Sequence, residues 1–160
     1  MLYYNRKINE AAKGCGTLGF YHKERQPLIG DIYLMNFGVQ GNEQKGWSPG
    51  LVFQNNIGNQ YIPNIIVLSL TTSLKKSDQS IHVLISAKET GLVKDNMVLC
   101  ENSERMSKDR LGKYLTALPK EYMAKIAVAN VLFTSAISFI EPDVLLTVWQ
   151  KALALNANIA

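Results

Sequence analysis

The stretch Ile65-Ile-Val-Leu-Ser-Leu-Thr71 decides the architecture. Its apolar residues fall on both parities of the run, so it reads as a strand buried on both faces rather than one with a solvated side. Such a strand needs partners at both edges and a layer against each face. Working outward, Asp31-Ile-Tyr-Leu-Met-Asn-Phe37 and Gly50-Leu-Val-Phe-Gln54 are rich in strand formers. A glycine-rich, turn-forming segment from Gly38 to Pro49 separates them. Downstream, Ser80-Ile-His-Val-Leu-Ile-Ser86 puts Ile81, Val83 and Ile85 on one face and His82 on the other. Asn96-Met-Val-Leu-Cys-Glu101 is a fifth candidate. The expectation is about five antiparallel strands between residues 29 and 101.

After residue 101 the period lengthens. Ser107 suits the cap of a short helix over 107–117, with Leu111 and Leu115 on one stripe. Pro119 suits the start of a second helix to residue 135, carrying Tyr122, Met123, Ile126, Asn130 and Phe133 at helical spacing. Pro142 suits the start of a third, with Leu145, Val148, Trp149 and Ala152 on one side. Strands followed by helices mean an α+β domain, not alternating βαβ units.

A chain of 160 residues fits one domain with a real core. Its hydrophobic fraction of 47% and charged fraction of 19% are those of a globular protein and exclude a disordered one. A formal charge of +4 favours a polyanionic partner without identifying it. Cys15 and Cys100 stand too far apart in sequence for a disulfide framework or a metal site, so no metal or cofactor is expected. The opening MLYYNRKINE lacks the apolar run of a secretory signal. The apolar stretch from Ile126 to Ile140 is shorter than a spanning helix and contains Asn130, Thr134, Ser135 and Ser138. A cytoplasmic protein with no membrane partner is expected. Residues 1–28 read as an extension, 29–135 as the domain, and 136–160 as a C-terminal helical extension.

Several dissimilar elements then recur in a known order: Gly30-Asp-Ile-Tyr33, Gly41-Asn-Glu-Gln-Lys-Gly-Trp-Ser-Pro49, Leu51-Val-Phe-Gln-Asn-Asn-Ile-Gly-Asn59 and Pro63. The order is similar to that of the MazF/PemK family of type II toxin–antitoxin toxins, whose pattern runs G-D-[VI]-Y, G-x-E-Q-x-G-x-R-P, then V-x-Q-N-D-x-G-N. The likeness continues through Ile65–Thr71, His82-Val83, Val98–Glu101 and Lys108-Asp-Arg-Leu111, and covers about residues 29–133. It implies an SH3-like antiparallel β-barrel of the CcdB/MazF kind, a homodimer, and a metal-independent endoribonuclease acting on single-stranded RNA. It also implies a labile antitoxin protein as partner. Two arginines of the family are missing: Ser48 stands where it has one before the proline, and Glu104 where it has the second.

Metal-free RNA cleavage deprotonates the 2′-hydroxyl, stabilises charge on a crowded phosphate and protonates the departing 5′-oxygen. By resemblance Thr71 takes the place of the family's catalytic threonine, and Ser48 that of its arginine. The same resemblance and local chemistry nominate Glu43, Gln44, Lys45, Trp47, Lys75, Lys76, Asn102 and Arg105 for RNA binding. The residues alone leave alternatives. Thr71 is either catalytic or a strand-end hydroxyl serving the backbone. Trp47 and Phe37 are either stacking platforms or core and dimer contacts. Lys75 and Lys76 either hold phosphates or line a solvated loop, and His82 is either a groove imidazole or a structural one. Serine cannot supply a fixed cation and a carboxylate repels phosphate, so a homologue that binds RNA or antitoxin without cutting is the alternative function. A gyrase-directed toxin like the CcdB group would need a tryptophan-glycine-isoleucine-type ending, whereas this chain ends Asn156-Ala-Asn-Ile-Ala160.

Overall fold

The computed structural model describes residues 25–38, 46–75 and 79–157. Its strands are β1 (Asp31–Asn36), β2 (Trp47–Val52), β3 (Asn64–Thr71), β4 (His82–Ile85), β5 (Asn96–Ser107) and β6 (Leu111–Ala117). Its helices are α1 (Asn56–Tyr61), α2 (Ala87–Thr90), α3 (Lys120–Thr134) and α4 (Pro142–Ala157). The strands form one antiparallel sheet in the order β4-β5-β3-β2-β1-β6. β3 lies inside it, as its apolar run requires, with Ile65, Val67, Leu68, Ser69 and Leu70 all buried.

Alternation along each strand feeds two separate cores. Ile32, Leu51, Leu68, Leu70 and Val98 face one, and α3 closes it with Ile126 and Ala129. Tyr33, Met35, Val52, Ile65, Val67 and Leu111 face the other. The sheet covers this second core by curving. Between Leu68 and Ser69 the β3–β5 register jumps, their partners being Ser103 and Leu99, so Cys100, Glu101 and Asn102 form a bulge. Register shifts also interrupt β1–β6. Such irregularities bend a strand and tighten its twist.

Two expectations need correction. The five strands expected between residues 29 and 101 form as β1–β5, but a sixth follows them and the sheet is not closed into a barrel, β4 and β6 being its edges. The sixth strand comes from the segment expected to be helical. Ser107 does cap a turn, its Oγ accepting the Asp109 N–H at 3.3 Å, but that turn is a 3-10 turn over Lys108–Arg110. Leu111–Ala117 then pairs with the open edge of β1. Leu111 is buried while Lys113 and Leu115 face out, and Tyr114 packs edge-on against Tyr33 with ring centroids 5.5 Å apart. A free edge beside β1 outweighed a weak helical stripe. The helices expected at Pro119 and Pro142 form, and α1 was not foreseen.

Gly50 shows how tightly the second core is built. A Cβ there would stand 2.5 Å from Met35 Sδ and 2.9 Å from Phe37 Cζ, and both side chains are buried. Gly50→Ala is therefore expected to destabilise the fold by about 1–3 kcal/mol, read as a lowered urea midpoint. An unchanged midpoint would mean that Met35 and Phe37 move aside freely.

Candidate active site

Thr71 ends β3 beside the start of β2. The pairs Gly50↔Ser69, Leu51↔Leu68 and Val52↔Val67 set the β2–β3 register. The pairing ends there, and Ser48 and Thr71 are the residues two positions further out on these two neighbouring strands, beyond the last pair. The row extends to Met35 of β1, which pairs with Ser48 and with Leu111 of β6. In the other direction it reaches Met97 of β5, the partner of Thr71. By alternation Ser48 and Thr71 share the face of Val52 and Val67, at the rim of the second core, and both are half-buried. Thr71 Oγ1 accepts the Ser73 N–H at 3.1 Å. The hydroxyl thus serves the backbone through one lone pair and keeps its own proton for donation.

A fixed cation stands on the β1 side of this row. Arg110 Nε donates to the Asn36 carbonyl oxygen at 2.6 Å, and Asn36 pairs with Trp47, one residue from Ser48. A terminal guanidinium nitrogen lies 3.4 Å from where a Cβ on Gly38 would be. A guanidinium tethered by one N–H leaves its paired terminal nitrogens for an anion. Sequence reasoning missed this residue because it was assigned to a helix. Its signal was its place in Lys108-Asp-Arg-Leu111, one residue before the strand that joins the row.

The other nominated residues scatter. Trp47 is half-buried with its indole over Gly112, where a Cβ would come within 2.6 Å of the ring. Phe37 is a core residue, 5% exposed. Lys75 is exposed four residues beyond Thr71. Asn102 is half-buried in the β5 bulge beside Ser69. Arg105 is exposed and pairs with Ile66, five residues from Thr71 along β3, or roughly 17 Å. The fold does not bring it to the Ser48–Thr71 row. Glu104 pairs with Val67. Glu43, Gln44, Lys45 and Lys76 lie outside the described residues.

His82, placed by the sequence opposite Val83 and Ile85, is buried like them, with Nε2 2.7 Å from Glu101 Oε1. It anchors the bulge. Cys100 beside it is fully buried, and burial first, then the Glu101 charge, pushes its thiol up to about 11. A thiol so protonated is a packing group rather than a nucleophile. No group of three or more His, Cys, Asp or Glu residues suited to a metal ion occurs among the described residues.

The signature residues around the row are architectural. Asp31 is buried, accepts the Leu28 N–H at 2.9 Å and pairs with Arg25 at 3.0 Å. That contact raises the Arg25 pKa, and Arg25 lies 4.3 Å from the centre of the Tyr114 ring. Asn55 caps α1 by accepting the Gly58 N–H at 2.8 Å, and Asn56 accepts the Ile29 N–H at 2.8 Å. Asn59 is buried and donates to the Gln54 carbonyl at 2.9 Å, while Gln26 and Lys108 donate to its own carbonyl.

A family model described as PemK-like, MazF-like toxin of type II toxin–antitoxin system matches residues 29–130. The chain belongs to this family. Among PemK/MazF-like proteins it is similar to the endoribonuclease EndoA of Bacillus subtilis (strain 168), 37% identical over 111 residues, which are 69% of this chain and 96% of that one. It is also similar to the endoribonuclease MazF of Staphylococcus epidermidis, 38% identical over 98 residues, 61% of this chain and 82% of the relative. A solved endoribonuclease in complex with its cognate antitoxin, from a mycobacterial species, superposes with a TM-score of 0.57 at 27% identity, over 72% of this chain and 99% of that one. MazF of Deinococcus radiodurans shares the fold, with a TM-score of 0.61 at 21% identity, over 69% of this chain and 98% of that one.

Two variants separate the structural part of Arg110 from its charge. Arginine Nε and glutamine Nε2 hang from the same Cδ, so Arg110→Gln keeps a donor for Asn36. Arg110→Ala leaves that carbonyl without one and is expected to cost about 1 kcal/mol in urea unfolding. Arg110→Gln is expected to unfold like the wild type; equal loss in both variants would show that the guanidinium's packing, not its hydrogen bond, holds the strand end.

Proposed function

We propose that this toxin-family chain is a metal-independent endoribonuclease cutting single-stranded RNA at a reduced rate. The observation that carries the reading is the half-buried Thr71 hydroxyl at the end of β3, which accepts the Ser73 N–H and donates to no group among the described residues, on the strand next to the one that carries Ser48. In this reading the 2′-hydroxyl gives its proton to solvent as its oxygen attacks phosphorus, the bond to the 5′-oxygen breaks, and the 5′-oxygen takes a proton from water, leaving a 2′,3′-cyclic phosphate. Thr71 donates to a phosphate oxygen as charge builds there. Ser48 offers a neutral hydrogen bond where the family pattern has a cation, and Arg110, across β1 from it, holds the backbone through a neighbouring phosphate.

The partners of this reading are single-stranded RNA, an antitoxin protein and a second copy of the chain. The mycobacterial relative solved with its cognate antitoxin supports the second. A binding-only protein is the competing reading, and the specific observation favouring it is the loss of both family arginines at Ser48 and Glu104.

Cleavage of a long RNA in EDTA separates the two. Removing one donor to the transition state costs about 10²-fold, so Ser48→Arg is expected to raise the rate by about that factor and Thr71→Ala to abolish it. Full activity of Thr71→Ala would end the site assignment. RNA binding without cleavage by either wild type or Ser48→Arg would establish the competing reading. In salt titrations of oligonucleotide binding, Arg110→Gln is expected to flatten the logarithmic slope by about 0.7, one single-strand phosphate contact.

A further inference from the structure

Residues 1–24 precede the family match, which begins at residue 29. They hold half of the chain's formal charge of +4, with Arg6, Lys7, Lys13 and Lys23 against Glu10 and Glu24. One arrangement occurs twice among them. Tyr3-Tyr4-Asn5-Arg6-Lys7 and Phe20-Tyr21-His22-Lys23 each set two adjacent aromatic residues before a polar one and then a basic one. Single-stranded nucleic acid is held by this combination, rings that stack on bases and cations that neutralise phosphates.

The structure fixes where this segment joins the domain. Arg25, the first described residue, pairs with the buried Asp31 at 3.0 Å and lies 4.3 Å from the centre of the Tyr114 ring. Asp31 shares its sheet face with Tyr33 and Met35 by alternation along β1, and Met35 pairs with Ser48. The Arg25 guanidinium is therefore anchored on the sheet face that carries Ser48 and Thr71. From Asp31 to Met35 is about 13 Å along β1, a span that about four extended residues cross.

We propose that residues 1–24 are a second contact for single-stranded RNA, taking the strand beyond Ser48 and Thr71 through the two aromatic–basic clusters, an inference that rests on the RNA-cutting reading above. Without the two family arginines at Ser48 and Glu104 the site is short of cations. Charge supplied beside a site raises the local concentration of a polyanion and speeds its arrival. The segment holds backbone and bases and takes no part in breaking the bond. An anionic lipid surface also takes aromatic and basic side chains, but attachment on the face of Ser48 and Thr71 favours RNA.

The test is a salt titration of the full chain with 2′-O-methyl single-stranded RNA, which has no 2′-hydroxyl to attack, in lengths of five and of twenty nucleotides. The wild type is expected to bind the longer one more tightly. Arg6→Gln/Lys7→Gln/Lys13→Gln/Lys23→Gln is expected to flatten the logarithmic slope on the longer RNA by about 2.8, four single-strand phosphate contacts at about 0.7 each. Its binding of the shorter RNA is expected to match the wild type. Tyr3→Ala/Tyr4→Ala/Phe20→Ala/Tyr21→Ala is expected to weaken the longer complex about tenfold or more at an unchanged slope, since a ring releases no counterion. Both variants are expected to keep the wild-type urea midpoint, because neither described core uses residues 1–24. Wild-type affinity and slope in both variants, with long RNA still cut in EDTA, would overturn this inference alone. Binding of neither oligonucleotide together with no cleavage would overturn the RNA-cutting reading as well. Flotation of the wild type with phosphatidylserine vesicles, lost in the glutamine variant while its RNA binding is untouched, would assign the segment to lipid and overturn the inference.

Discussion

Burial of β3 on both faces is the constraint from which the rest of the molecule follows. Ile65 and Val67 point into one core, Leu68 and Leu70 into the other, and each face needs its own cover because exposed side chains of this size would forfeit about 1.5–3 kcal/mol apiece. Helix α3 covers one side. The other is covered by the sheet itself, which bends at the β5 bulge and at the β1–β6 register shifts. The β6–β1 pairing carries Leu111 beside Met35 and the preceding Arg110 to the Asn36 carbonyl.

The structure separates the residues that make the fold from those that would do chemistry. Asp31, Asn55 and Asn59 belong to the family signature, Asn56 stands where that signature has Asp, and each serves a backbone group or an ion pair. Buried polar groups of this kind are expensive to leave unpaired, which ties such residues to the fold more tightly than to any reaction. The chain keeps Asp31, Asn55 and Asn59, and departs from the pattern at Asn56, Ser48 and Glu104.

His82 makes a related point. A histidine on a half-buried strand beside a carboxylate resembles an acid–base pair, yet here it is buried and holds Glu101 in place within the bulge. The contact acts on the shape of β5, and through it on Asn102, rather than on a substrate directly.

The sequence by itself determined the α+β class, the doubly buried central strand, the helices at Pro119 and Pro142, and the family through motifs whose residues hold the fold together. These were legible because hydrophobic period and turn chemistry are local properties. The tertiary structure alone decided three things. It turned Leu111–Ala117 into a strand, because the open edge of β1 competes with helical propensity only once the sheet exists. It left Arg105 about five residues along β3 from Thr71 and brought Arg110 to the Asn36 carbonyl at the end of β1, because strand register and a three-residue bulge set those separations. And it left α4 exposed: its apolar stripe was plain in the sequence, but whether a stripe meets the chain's own core depends on how much core surface the earlier elements have already covered.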